Sequence, residues 1–505
     1  MTHGVDPRTA EPVGPDIPDS TPDSVRQTCR RAADAAAWLD ALPGDRRAAL
    51  LRAIGAALRT HDDELIRVAD AETALGHGRL TGELARTAAQ FDLFADVVDD
   101  GAFYEAIIDH PDPEAVPPHT DLRRMLRPLG PVAVFAASNF PFAFSVAGGD
   151  TASALAAGCP VVVKAHPGHP GLSQLTAEIV SRALSDCGAP AGVFGIVFGQ
   201  SAGRALVTDP AVAAVGFTGS VAGGRALFDL AASRSNPIPF YGELGSINPV
   251  VVTTGAVDAR AEEIVDGLAG SATLGSGQFC TKPGVVFVPE GAGLPEQVAA
   301  RFAQAELGPL LTARIADGYR AGLARLQAVP GVRSLLGRAR TDDAGHTVAA
   351  QVLAVDSATF LAHAPTLTEE CFGPVTVLVS YRDQTELSDA LAVVPGALTG
   401  SVHAGPDDPD AALAMNTLSG RVGRVIHNGW PTGVAVTWSQ HHGGPWPATT
   451  APLHTSVGAA AIRRFLRPVT YQDVPDALLP DVLQEANPLA VPRRVDGVYR
   501  TFAAG

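Results

Sequence analysis

The sequence predicts an α/β protein, a Rossmann-type doubly wound unit followed by a second α/β unit. Two observations carry this. Between residues 132 and 198, short apolar runs alternate with helical periodicity: 132–136, a helix near 145–157, 161–163, a helix near 172–184, then 195–198, which is a βαβαβ order. Each run is apolar at consecutive positions, so both faces of the strand are covered, as in a parallel sheet sandwiched between helices. Further runs at 249–252, 285–288, 375–379 and 424–427 predict a second sheet of the same kind. With 505 residues, 46% hydrophobic and 18% charged, the chain can bury two or three such cores.

The elements follow in order. Residues 1–22 read as a flexible arm, because Pro7, Pro12, Pro15, Pro18 and Pro22 interrupt any regular backbone. From Asp23 the pattern is helical: Val25, Cys29, Ala32, Ala36 and Leu39 recur every three to four residues, and Leu51, Ile54, Leu58 and Leu65 continue it in one run over 50–68. This helical region extends to about Phe103. Pro111, Pro113, Pro117 and Pro118 then mark a loop before the basic stretch Asp121-Leu122-Arg123-Arg124-Met125. No repeat of solenoid period is present.

Charge and cysteine usage exclude several classes. A net charge of −16 argues against nucleic acid or an anionic membrane as partner, since phosphate binding needs a basic surface. The 5 cysteines are odd in number and lack C-x-x-C spacing, which fits neither a disulfide frame nor a zinc site and suits a reducing cytoplasm. The first residues carry no basic segment leading into an apolar run, so no signal peptide is expected, and no stretch has the roughly 20 apolar residues that span a bilayer.

The chemistry concentrates in two motifs. Cys280 lies in Gly277-Gln278-Phe279-Cys280-Thr281-Lys282-Pro283-Gly284, a glycine-flanked loop where a thiolate can be stabilised and reached. Glu243 lies in Glu243-Leu244-Gly245-Ser246-Ile247-Asn248-Pro249, among small and apolar neighbours whose desolvation should raise its pKa into the range of a general base. Either alone reads equally as a buried free thiol or an ion-paired carboxylate. Together they read as nucleophile and base.

A cofactor site is less explicit, because no G-x-G-x-x-G follows the first strand. Gly219 and Ser220 end the run 212–217 and open a helical stretch over 221–232, where backbone N–H groups and a helix dipole could meet a pyrophosphate. Lys164 ends an apolar strand, either snorkelling to solvent or meeting a ligand. His166 and His169 flank Pro167-Gly168, too sparse a pair for a metal site, and none is expected.

These motifs resemble the aldehyde dehydrogenase superfamily. In the same order as in that family the chain also carries Asn139-Phe140-Pro141, Val161-Val162-Val163-Lys164, Phe217-Thr218-Gly219-Ser220 and Glu370-Cys371-Phe372-Gly373-Pro374, a resemblance running from about residue 25 to the end. It implies that Cys280 attacks an aldehyde, that Asn139 and the Cys280 N–H hold the oxyanion, and that Glu243 activates the hydrolytic water. Lys164, His166, Gly219, Ser220, Glu370 and Phe372 would then hold NADP or NAD, with no acidic residue directly after Lys164 to repel a 2′-phosphate. It also implies a cofactor-binding domain over 23–110 and 128–244, a catalytic domain over 245–450, and small oligomerisation strands within 111–127 and 451–505 that build a homodimer or homotetramer.

Within the superfamily the chain is most similar to 2-oxoglutarate semialdehyde dehydrogenases and a related NADP-dependent fatty aldehyde branch. The expected substrate is therefore a short semialdehyde, then a medium-chain aldehyde. A CoA-acylating enzyme would lack Glu243, and a non-catalytic scaffold would have lost Cys280, Asn139 or Glu243. A distal carboxylate would need cationic groups, for which Arg421, Arg424, His441 and His442 are the candidates. Two departures from the family pattern are expected to matter: the N-terminus looks too short to supply strands before the first helix, and Thr449-Thr450-Ala451-Pro452-Leu453-His454 lacks the charged residues usual there.

Overall fold

A computed structural model of the chain describes residues 1–337, 345–406 and 408–501, so small parts of the stretches expected at 245–450 and 451–505 lie outside the described residues. The 132–243 region folds as a five-stranded parallel sheet in the order Phe194–Val197, Val161–Lys164, Val132–Phe135, Ala214–Thr218, Phe240–Glu243. Alternate residues of each strand enter different cores. Val132, Val134, Val161 and Val163 pack with the helices Gly149–Ala157 and Pro170–Asp186, while Ala133, Phe135, Val162 and Val215 pack with Pro22–Asp40 and Gln200–Thr208 on the other face. The strand order reverses beside Val132–Phe135, the place where doubly wound sheets bind ligands at their carboxyl ends.

The second sheet has seven strands, in the order Arg333–Ser334, Gln351–Asp356, Val375–Tyr381, Val285–Pro289, Val250–Val252, Ala397–His403, Val422–His427, all parallel except the first. Here Val285, Phe287, Val377 and Val379 face one core and Val286, Val288 and Leu378 the other. Three of its strands escape sequence reading: Arg333–Ser334, Gln351–Asp356 and Ala397–His403. Ala397–His403 contains Thr399, Gly400 and Ser401, and these interior polar positions erase the apolar run. Thr399 is there because its hydroxyl bonds Asn248, at 3.1 Å, within the site described below.

A five-stranded sheet joins distant segments: Leu466–Gln472 pairs antiparallel with Leu122–Pro128, which continues through Ala106–Asp109 and Arg493–Val495 to Val498–Arg500. Both outer strands are edges, and Val498 and Tyr499 are exposed on one of them. Among the described residues no helix is long and apolar enough to cross a membrane.

Two expectations are corrected. The arm expected at 1–22 is a hairpin, Thr2–Val5 against Pro12–Ile17, so strands do precede the first helix. Its prolines are tolerated because only two strands pair, leaving their outer N–H positions unused. Tertiary contacts hold it: Arg8 pairs with Asp70 at 2.8 Å, and Ser20 exchanges bonds with the Phe198 backbone at 2.9 and 3.0 Å. The single helical run over 50–68 is two helices, Gly44–Thr60 and Asp62–Thr73, broken at His61, where Asp62, Asp63 and Glu64 form an acidic first turn favourable to a new helix dipole.

Candidate active site

Cys280 follows the helix Thr254–Thr273 and the tight turn Leu274–Gly277, and precedes the strand Val285–Pro289. The turn is left-handed at Gly275, Ser276 and Gly277, and a Cβ on Gly277 would collide with the Gly373 carbonyl. The cysteine loop and the Glu370–Pro374 segment are thus locked backbone to backbone. Asn248, itself left-handed at φ 49°, donates from Nδ2 to the carbonyls of Cys280 at 2.8 Å and Lys282 at 2.9 Å. Buried Lys282 donates to the carbonyls of Cys371 and Val375 at 3.1 and 2.7 Å. The conformation of the cysteine loop is therefore set by side chains of both motifs flanking it.

Glu243 ends the strand Phe240–Glu243 and is 3% exposed, while His442 is 1% exposed. His442 Nε2 lies 3.0 Å from Glu243 Oε1 and 3.6 Å from Cys280 Sγ, and the Ser456 hydroxyl donates to Glu243 Oε2 at 2.6 Å. Nδ1 of His442 is buried without a partner, so the ring meets both groups through one nitrogen.

The electrostatics reverse both sequence expectations. Burial pushes Glu243 up, but the His442 charge and the hydrogen bonds from His442, Ser456 and the Cys280 thiol outweigh it, holding the carboxyl below its ordinary value. Burial and then the adjacent Glu243 charge push Cys280 well above the ordinary thiol range. At rest the pair is a neutral thiol beside an ionised carboxylate. Burial also raises Cys29 to about 12 and Cys159 and Cys371 to about 11, so Cys280 differs from them in having a proton acceptor at hand.

Asn139 lies past the end of the strand Val132–Phe135, buried, with Nδ2 donating to the Gln278 carbonyl at 3.1 Å. Its second amide hydrogen is left for another acceptor. Arg79 donates to the Asn139 carbonyl at 2.6 Å, which fixes the turn from behind.

The residues expected to hold a dinucleotide fall at the carboxyl ends of the first sheet and beside Cys280. Gly219 and Ser220 are exposed; Ser220 Oγ caps the helix Val221–Ala232 through Gly223 N at 3.3 Å, leaving its first N–H groups outward. Gly219 N bonds the Glu243 carbonyl at 3.0 Å, tying that turn to the end of the Phe240–Glu243 strand. Lys164 is half-buried, and burial, opposed by Asp19, lowers its ammonium to about 8. A Cβ on Gly245 would stand 2.6 Å from Glu370 Oε2, so Glu370 reaches across the glycine. Burial raises Glu370, whose carboxylate has spare acceptor capacity for ribose hydroxyls. Phe372 follows on the same turn, half-buried. A helix N-terminus, a lysine and a carboxylate suit a phosphate, a ribose and a second ribose, so these residues fit a dinucleotide.

His166 is held neutral by burial and by the charges of His169 and Lys164, and its Nδ1 accepts from Gly168 N at 3.0 Å. It caps its own loop. The Glu243, Cys280 and His442 donor atoms lie within 4.8 Å of one another, a grouping into which a metal ion would also fit, whereas His166 and His169 enter no such group among the described residues.

His442 and Ser456 take places that sequence reading did not assign to them. His442 was a candidate for a substrate carboxylate, yet it faces Glu243 and Cys280. Arg421 is engaged by the Val394 carbonyl at 2.8 Å, and Arg424 by those of Gly433 and Pro431 at 3.2 and 2.7 Å. His441 is half-buried with its ring lowered by burial and by His442. The uncharged 449–454 segment has a structural use: Thr450 Oγ1 accepts from Gly242 N and donates to the Phe240 carbonyl, each at 2.8 Å, and Thr449 bridges Glu243. The segment clamps the strand that carries Glu243.

The family model described as the aldehyde dehydrogenase family matches residues 2–446. Over 501 residues the chain is 48% identical to alpha-ketoglutaric semialdehyde dehydrogenase 2 of Azospirillum brasilense, covering 97% of this chain and 95% of that protein. It is 40% identical over 495 residues to alpha-ketoglutaric semialdehyde dehydrogenase of Acinetobacter baylyi, covering 97% and 94%. Lactaldehyde dehydrogenase from Escherichia coli shares the fold with a TM-score of 0.79 at 26% identity, over 93% of this chain and 94% of that one.

Proposed function

Because the chain belongs to the aldehyde dehydrogenase family, an enzyme family that oxidises aldehydes with a nicotinamide cofactor, we propose that its substrate is a short aldehyde with a distal carboxylate, 2-oxoglutarate semialdehyde first. The observation that carries the chemistry is the buried Glu243–His442 pair 3.0 Å apart with the Cys280 sulfur 3.6 Å from the shared nitrogen.

In this reading the Cys280 proton leaves through the Glu243–His442 pair to solvent, so that Glu243 is ionised again, and the thiolate attacks the aldehyde carbon. The thiohemiacetal oxyanion is held by the free amide hydrogen of Asn139 and the Cys280 N–H, donors that supply about 2.7–4 kcal/mol each at such sites. The nicotinamide, when bound, supplies the hydride acceptor. Glu243, ionised and oriented by Ser456 and His442, then takes a proton from the water that hydrolyses the thioester. Lys164 and Glu370 bind the two riboses, Gly219 and Ser220 the pyrophosphate, and Phe372 packs near the ring.

Both NAD and NADP are accepted in this reading. Neutral His166 does not repel a 2′-phosphate, while Asp19 competes with that phosphate for Lys164. Lys164→Ala raises the cofactor KM about tenfold, more for NADP than for NAD, as loss of a charge-assisted bond would. In the wild type the KM for NADP rises as pH passes about 8, where the ammonium loses its proton. Cofactor titrations at fixed aldehyde read both, and equal losses for the two cofactors would leave Lys164 a ribose ligand alone.

A medium-chain fatty aldehyde is the second reading, favoured by the aromatic cluster of Phe140, Phe144 and Phe279 beside Cys280, with ring centroids 5.4 and 5.1 Å apart. Comparing kcat/KM for 2-oxoglutarate semialdehyde and hexanal separates the two: a preference of about 100-fold for the charged aldehyde is expected, and a preference for hexanal overturns the first reading. The edge strands Leu466–Gln472 and Val498–Arg500 are assigned to contact with further copies of the chain. The reducing cytoplasm is the compartment that suits five free thiols.

A further inference from the structure

We infer that Arg86, supported by Arg79, is the residue that binds the distal carboxylate of the substrate, so that charge selectivity resides on the helix His77–Asp100 and not on the residues of 421–442. The inference rests on the substrate reading above and names the side chain responsible for it.

Four observations converge. First, the Nε and Nη2 atoms of Arg86 are buried without a hydrogen-bond partner. These two atoms carry the parallel N–H groups along one edge of the guanidinium, the pair that a carboxylate accepts side by side. Second, the guanidinium sits among aromatic rings that lead to the nucleophile. Its carbon lies 5.6 Å from the Phe144 ring and 5.9 Å from the Phe140 ring. Phe144 in turn stands 6.2 Å from the His442 ring, and Phe140 stands 5.1 Å from Phe279, the residue before Cys280. Arg86 is also near enough to feel the charges of Cys280 and Glu243.

Third, cations outnumber anions at this helix face. Arg79 and Arg86 share one carboxylate of this helix, Glu83, whose Oε1 accepts from the N–H groups of Phe142 and Ala143 at 2.9 and 3.1 Å and whose buried Oε2, 4.0 Å from Arg79, hydrogen-bonds neither arginine. Arg79 Nη1 is likewise buried and unpartnered. Fourth, the alternatives offer less of such an edge: Arg421 and Arg424 bond backbone carbonyls through their terminal nitrogens, so that Arg424 keeps only its buried Nε without a partner, and His442 bonds Glu243. A desolvated guanidinium edge beside these aromatic rings rejects an uncharged chain end, because binding it leaves the N–H groups unpaired.

The test compares 5-oxopentanoate with hexanal, aldehydes of similar length that differ in the terminal carboxylate. For Arg86→Met the ratio of kcat/KM for 5-oxopentanoate over hexanal falls about 100-fold, with Arg86→Lys intermediate because it keeps charge without the paired edge. Glutarate, an unreactive dicarboxylate, loses inhibition of Arg86→Lys relative to wild type, which keeps the test open if Arg86→Met fails to fold. An unchanged ratio in the variants of an enzyme that prefers 5-oxopentanoate overturns the role of Arg86 alone. A wild type that prefers hexanal overturns the substrate reading before any variant is made.

Discussion

Cys280→Ala abolishes aldehyde oxidation, with a loss of about 10⁴-fold or more, because no other atom in the site can form the covalent intermediate. The melting temperature changes by no more than about 3 °C, since Cys280 is half-buried and its loop is held by the Asn248 and Lys282 bonds rather than by its thiol. Alanine at Cys29, Cys159 or Cys371 gives the opposite pattern. Those thiols pack in hydrophobic cores, so stability falls while turnover per folded molecule persists. Steady-state assays alongside thermal melts distinguish the two patterns. Near-normal turnover by Cys280→Ala, with a different cysteine variant dead, would remove the nucleophile assignment.

Glu243→Gln is expected to produce a burst of reduced cofactor equal to the enzyme concentration, then turnover slowed by about 10²–10⁴-fold. The amide can still accept from Ser456 and keep His442 in place, but it cannot take a proton from water. His442 remains 3.6 Å from the thiol and is the group left to relay its proton to solvent. Rapid mixing of the variant with aldehyde and cofactor, followed by absorbance of the reduced nicotinamide, reads the burst directly. Absence of the burst would mean that Glu243 is needed to deprotonate Cys280, and the division of labour between Glu243 and His442 would have to be reversed.

Much of the architecture was legible because short-range patterns record it. Consecutive apolar residues at 132–135 and 285–288 report strands covered on both faces, and the two cores that receive alternate residues are the physical cause of that pattern. Family motifs placed Cys280, Glu243 and Asn139 in one region. The strand Ala397–His403 and the N-terminal hairpin were not legible. In the first, Thr399 is buried to bond Asn248; in the second, proline-rich segments are held by Arg8, Ser20 and their distant partners. Such pairings depend on contacts far apart along the chain, which local periodicity does not record.

The sequence by itself determined the fold class and the family, and it singled out the residues proposed as nucleophile and base, because each is written in contiguous residues whose types and spacing the chemistry demands. Tertiary structure alone decided the protonation state of the site. Glu243 and Cys280 are both buried, and desolvation acting alone would raise both. His442 and Ser456, roughly two hundred residues away from Glu243 in sequence, hold the carboxylate ionised, whereas the thiol faces that carboxylate and stays neutral. The proposed carboxylate site arises in the same way. An arginine in an ordinary helical stretch carries no sign of function until folding buries its Nε and Nη2 beside the aromatic path to Cys280 and provides them with no partner.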